Sequence, residues 1–74
     1  MAEVAVTNHA KYRFIERGIS VHEAKKIAKS GQIINREVDG ALVKNGICNN
    51  GKLLTVVSVK EANKIIIKTA YYEN

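Results

Sequence analysis

Apolar residues recur along the chain at two different periods, and the change of period divides it. Between residues 8 and 31 they fall three or four apart, the spacing of amphipathic helices. From residue 32 onward β-branched residues dominate and turn residues interrupt them, which is strand patterning. The first helix is predicted over 8–18. Thr7 or Asn8 can cap its free N–H groups, and Gly18 can take the left-handed conformation that ends it. On a helical wheel Ala10, Phe14 and Ile15 fall on one side. His9, Arg13 and Glu16 fall opposite, flanked by Tyr12 and Arg17.

A second helix is predicted over 21–30. Ser20-Val21-His22-Glu23 is a capping box, in which Ser20 accepts from the third N–H and Glu23 reaches back. Val21, Ala24, Ile27 and Ala28 make its apolar face. His22, Lys25, Lys26 and Lys29 make a basic one, and Gly31 is its stop. Ile19 precedes the cap and can staple the two helices together.

Strands are predicted near 32–38, 41–48, 52–59 and 64–72. Asp39-Gly40 signals a hairpin, Asn49-Asn50-Gly51 another, and Lys60-Glu61-Ala62-Asn63 a longer turn. Such short loops require antiparallel neighbours. The runs 53–59 and 65–67 are apolar on both faces, which makes their strands central. Strict alternation places Thr69 and Tyr71 on the face of Ile65 and Ile67, with Tyr72 opposite. The expected fold is α+β, a single domain over 1–74: two N-terminal helices packed on a four-stranded antiparallel sheet, in the order α-α-β-β-β-β. The helices cover one sheet face and leave the other, partly apolar face open to a partner.

Length and charge narrow this picture. A chain of 74 residues buries only about 60 % of its unfolded surface, so a homodimer is one way to bury more. No apolar run approaches the roughly 20 residues of a membrane span, and no basic leader region precedes an apolar one. The single Cys48 cannot form an internal disulfide, which points to a reducing, cytoplasmic location. The net charge is +5, and residues 9–31 carry six Lys/Arg against two Glu. Such a field suits a polyanion partner such as a nucleic acid, without identifying it.

The sharpest candidate chemistry is on the first helix. His9 and Arg13, and Arg13 and Arg17, are four apart and so are neighbours on its surface. A histidine titrates near neutrality and can move a proton, while arginine forks onto phosphate oxygens. Metal-free RNA cleavage needs both. From composition and spacing alone, a solvated polar helix face with a Glu–Arg pair is the simpler account of these residues. Thr69, Tyr71 and Tyr72 form a second set, whose hydroxyls could orient phosphate or whose rings could simply pack. Lys25, Lys26 and Lys29 can follow a phosphate backbone or solubilise their helix. His9, His22 and Cys48 have no metal-ligand spacing, and neither HExxH, CxxC nor a nucleotide-binding glycine motif occurs. No metal and no cofactor are expected.

The block His9-Ala10-Lys11-Tyr12-Arg13-Phe14-Ile15-Glu16-Arg17-Gly18-Ile19-Ser20 resembles the start of a small prokaryotic family of domains of unknown function. That family opens H-A-x-x-R-x-x-E-R-G-I-S, continues through a helix ending in glycine, here Gly31, and finishes on a T-x-Y-like strand, here Thr69-Ala70-Tyr71. It looks like part of the barnase–EndoU–colicin–RelE group of compact ribonuclease folds, which includes many toxins of toxin–antitoxin systems. The resemblance implies helices on an antiparallel sheet and a metal-independent endoribonuclease. His9, Arg13 and Arg17 would occupy the polar motif positions, and Thr69 and Tyr71 the closing strand. A cognate antitoxin protein would be a partner. The alternative is a non-catalytic basic module that binds nucleic acid or protein.

Overall fold

The computed structural model describes residues 3–73; residues 1, 2 and 74 of the expected domain lie outside the described residues. The chain runs β1 (Glu3–Val6), α1 (Asn8–Arg17), α2 (Val21–Ser30), β2 (Gln32–Arg36), β3 (Leu42–Ile47), β4 (Leu53–Glu61) and β5 (Lys64–Tyr72). The class is α+β, as expected, but the sheet has five strands, in the order β1-β5-β4-β3-β2. It is mixed rather than antiparallel, because β1 runs parallel to β5 from Glu3↔Lys64 to Val6↔Ile67. The helices therefore follow a strand instead of preceding all of them. Burial drives this difference: Val4 and Val6 alternate into the core edge and pack against the buried cluster. The two strands that are apolar on both faces, β4 and β5, do lie inside the sheet.

Both helices start where their caps predict. Thr7 Oγ1 accepts from the N–H of Ala10 at 3.1 Å. Ser20 Oγ accepts from the N–H of Glu23 at 3.3 Å. The reciprocal half of the expected capping box is absent, because the Glu23 carboxylate accepts instead from the N–H of Asn49 at 2.8 Å and ties α2 to the turn after β3. Gly18 ends α1 at φ 66°, a conformation that favours glycine. Gly31 ends α2 for another reason. Its φ is −70°, but a Cβ there would stand 2.6 Å from the Ile27 carbonyl oxygen and 2.9 Å from that of Asn45.

Both helices pack on one face of the sheet. Ala10, Phe14, Ile19, Ala24, Ile27 and Ala28 meet Leu54, Val56, Ile67 and Ala70 there. Phe14, Leu54 and Ile67 are fully buried, each contributing about 1.5–3 kcal/mol by leaving water. Ile15, expected with this group, is 82 % exposed. The helix α1 contacts mainly β5, so only a narrow stripe of it is covered. No helix among the described residues is long and apolar enough to cross a membrane.

The β4–β5 ladder contains a bulge. Val57 pairs with Thr69 and Ser58 with Ile67, so Lys68 has no opposite residue. The bulge corrects the expected facing of the last strand. Ile65 and Ile67 face the helices, but beyond Lys68 it is Ala70 and Tyr72 that do so. Thr69 and Tyr71, paired with Val57 and Thr55, turn to the uncovered face. The turn before β5 is also shorter than expected: Glu61 pairs with Lys64, which leaves a two-residue loop of Ala62 and Asn63.

Candidate nucleic-acid interface

The polar side of α1 carries His9, Arg13 and Arg17, all exposed. Arg13 Nη1 lies 3.7 Å from Glu16 Oε1 one turn on, an exposed pair that contributes a few tenths of a kcal/mol. Arg17 is held more firmly. Its Nη1 donates to the Ala70 carbonyl at 2.8 Å. The strand β1 pairs with β5 only as far as Ile67, so the remainder of that edge has no strand neighbour. Arg17 covers an edge carbonyl there, and its other guanidinium N–H groups leave it able to meet an anion.

The structure thus brings three of the expected residues onto one helix face, and anchors that face beside the last strand. It does not bring Thr69 and Tyr71 to them. Arg17 touches the backbone between these two, but their side chains stand on the other surface of the sheet. The tyrosine on the helix side is Tyr72. Its hydroxyl lies 3.4 Å from the Gly18 carbonyl oxygen and 3.5 Å from Asn50 Nδ2, both long contacts. Lys52 Nζ sits 5.4 Å from its ring centroid, within cation–π range. Strict alternation from Ile65 and Ile67 singles out Tyr71 for the helix-side role, and the bulge at Lys68 exchanges the two tyrosines.

On α2, Lys25 is half-buried while Lys26 and Lys29 are exposed. With His22, Glu3 and Val4 they line a groove between α2 and the sheet edge. Lys44, which reads as an ordinary strand charge, donates from Nζ to the Ala28 carbonyl at 2.8 Å and caps the end of α2.

Charge is divided between the two surfaces of the domain. Lys52, Lys44, Lys60 and Arg36 join the six helix-borne Lys/Arg on the helix side, as their contacts and strand registers place them. Ten basic residues there face two acids, Glu16 and Glu23, for a net +8. The uncovered face carries Glu37, Asp39, Glu61 and Glu73 against Lys64 and Lys68, for a net −2. Glu3 lies at the edge between them and completes the total of +5.

Cys48 is buried. Burial first, and then the hydrogen bond and negative charge of Glu23, push its thiol from 9.0 up to about 11. A thiol held neutral in this way is a core residue and not a nucleophile. Among the described residues no group of three or more His, Cys, Asp or Glu gathers to hold a metal ion.

Residues 6–72 match a family described as Domain of unknown function (DUF4258). No curated protein and no solved structure matches the chain.

Proposed function

The chain belongs to the DUF4258 family, and we propose that it binds RNA through its helix layer and cleaves it there without a metal ion. One observation carries this reading: the concentration of ten basic side chains on the helix side, with His9 one turn from Arg13 in their midst. A phosphate backbone would lie across α1 and the α2 lysines. His9 would remove the 2′-hydroxyl proton, and the freed oxygen would attack the adjacent phosphorus. The phosphorus–5′-oxygen bond would break, leaving a 2′,3′-cyclic phosphate, and the departing oxygen would take a proton from solvent. Arg13 and Arg17 would hold the phosphate oxygens as charge builds on them. Thr69 and Tyr71 take no part in this step. The likeness of the His9–Ser20 block to the barnase–EndoU–colicin–RelE ribonucleases supports the same reading, and the cytoplasm would supply the substrate.

A second reading, an RNA-binding module without turnover, is favoured by the partners Arg13 and Arg17 already have in Glu16 and Ala70. The discriminating experiment is cleavage of a labelled mixed-sequence RNA in EDTA by wild-type and His9→Ala protein. Wild type should produce cyclic-phosphate ends, and His9→Ala should be slower by at least about 100-fold, the usual span for losing a general base. Equal rates for the two proteins would overturn the assignment of His9. Salt-dependent binding with no cleavage by either would leave the second reading.

A further inference from the structure

The surface of the sheet that the helices leave uncovered is a structured face with its own chemistry. Ala41, Val43 and Thr55 are buried on it at 2 %, 6 % and 0 % exposure, although no helix lies above them. Thr55 Oγ1 is fixed by donating to Glu73 Oε1 at 2.9 Å. A groove crosses this face, with Ala41, Val57 and Thr69 lining it. Glu37, Val38 and Asp39 of the β2–β3 turn and Lys68 of the bulge line it as well. The turn is held in shape by Asp39 Oδ1, which accepts from the N–H of Ala41 at 3.0 Å. Val38 beside it is fully exposed and adds apolar surface to the rim of the groove.

Two classes of occupant fit this face badly. A polyanion is repelled by its net −2 when the other side of the domain offers +8. A second copy docking face to face would bring together two surfaces that each carry a net −2. Charge complementarity selects the opposite partner. We propose that the groove is a docking site for a positively charged segment of another protein. Its Lys or Arg residues would meet Glu37 and Asp39, and its apolar side chains would rest on Val38 and Val57. The domain would then have two independent faces, a cationic one for nucleic acid and this one for protein. The proposal does not depend on whether RNA is cleaved.

The test uses a synthetic octapeptide of alternating Lys and Val, titrated into isotope-labelled protein and followed by amide chemical shifts. Shifts should appear at Ala41, Val43, Val57 and Thr69 and weaken with added salt. The Glu37→Lys/Asp39→Lys double variant should bind at least tenfold more weakly. Val38→Ser, whose side chain touches nothing the fold needs, should bind several-fold more weakly with an unchanged spectrum elsewhere. An alternating Glu-Val octapeptide should leave these residues unmoved, and a mixed-sequence RNA should shift α1 and α2 amides instead. Three results would overturn the proposal. These are no Lys-Val shifts on this face, RNA shifts on this face, and far-face shifts that follow protein concentration alone, which would assign the groove to a second copy.

Discussion

Arg17 and Ala70 are 53 residues apart in sequence and 2.8 Å apart in space, joined by a guanidinium N–H and a strand carbonyl. The bond fastens the end of α1 to the stretch of β5 that β1 leaves unpaired. A charged hydrogen bond of this kind contributes more than a neutral one, discounted here because Arg17 is exposed. Arg17→Ala should therefore cost about 1 kcal/mol of stability in urea unfolding, whatever it does to RNA. Arg17→Met, which keeps the apolar stem, should lose much the same. A variant as stable as wild type would mean that the guanidinium serves only a ligand.

The two helix-ending glycines should respond differently to alanine. Gly18→Ala meets open space but must hold φ 66°, at a cost of about 1 kcal/mol. Gly31→Ala needs no unusual dihedral, yet its Cβ would fall within 2.9 Å of two backbone oxygens, neither at the end of a flexible side chain. Backbone must shift to admit it, so a loss of roughly 3 kcal/mol is expected. Thermal or urea midpoints of the two variants, measured side by side, check the order. Gly31→Ala as stable as Gly18→Ala would show that α2 and β3 can separate easily.

How much of this was visible in the chain itself follows from the range of each interaction. The caps at Thr7 and Ser20 act over three residues and are written in those residues. The places of the hairpin turns are legible for the same reason, though the loop before β5 is shorter than its residues suggest, and the apolar runs of β4 and β5 mark them as interior strands. Glu3–Val6 is too short to carry a periodic signal, and its strand exists only because Ile65 and Ile67 lie beside it after the whole chain has folded. The bulge at Lys68 leaves a fainter mark, the adjacent polar pair Lys68-Thr69, which strict alternation carried on from Ile65 and Ile67 passes over. One unpaired residue was enough to move Thr69 and Tyr71 away from His9, Arg13 and Arg17. The grouping of the last three was readable because a single helix holds them.

Ala62 adopts φ 53° at the first position of the two-residue loop between β4 and β5. A non-glycine residue there carries a conformational cost that glycine avoids. Ala62→Gly should stabilise the domain by about 0.5–1 kcal/mol, net of the extra freedom glycine has in the unfolded chain. A rise in unfolding midpoint with an unchanged denaturant slope is the expected signature. A fall would show that the alanine methyl makes contacts worth more than the relief.

Cys48 gives stability a dependence on alkaline pH. Its thiol is neutral in the fold up to about 11, but ionises near 9.0 in the unfolded chain. Below pH 9 both states keep the proton and the full stability is present. Between 9 and 11 the unfolded chain loses it first, so stability falls as pH rises, by an amount on the order of 1–3 kcal/mol. Cys48→Ala removes this contribution while the lysines and tyrosines still titrate. The gap in unfolding free energy between wild type and Cys48→Ala should therefore narrow from pH 8 to pH 10.5. A constant gap would contradict the raised thiol.

Lys26 and Lys29 test whether α2 belongs to the RNA surface. Both are exposed, so replacing them with glutamine should leave the unfolding midpoint nearly unchanged. Each lysine that no longer neutralises a phosphate should lower the salt dependence of single-stranded RNA affinity by about 0.7 in the log–log slope. The double variant should thus bind more weakly at low salt and converge on wild type as salt rises. Because neither residue takes part in the proposed proton transfer at His9, any cleavage should show a raised KM and an unaltered kcat. An unchanged slope would confine the RNA surface to α1. A lowered kcat with unchanged KM would mean that α2 reaches the reacting phosphate itself.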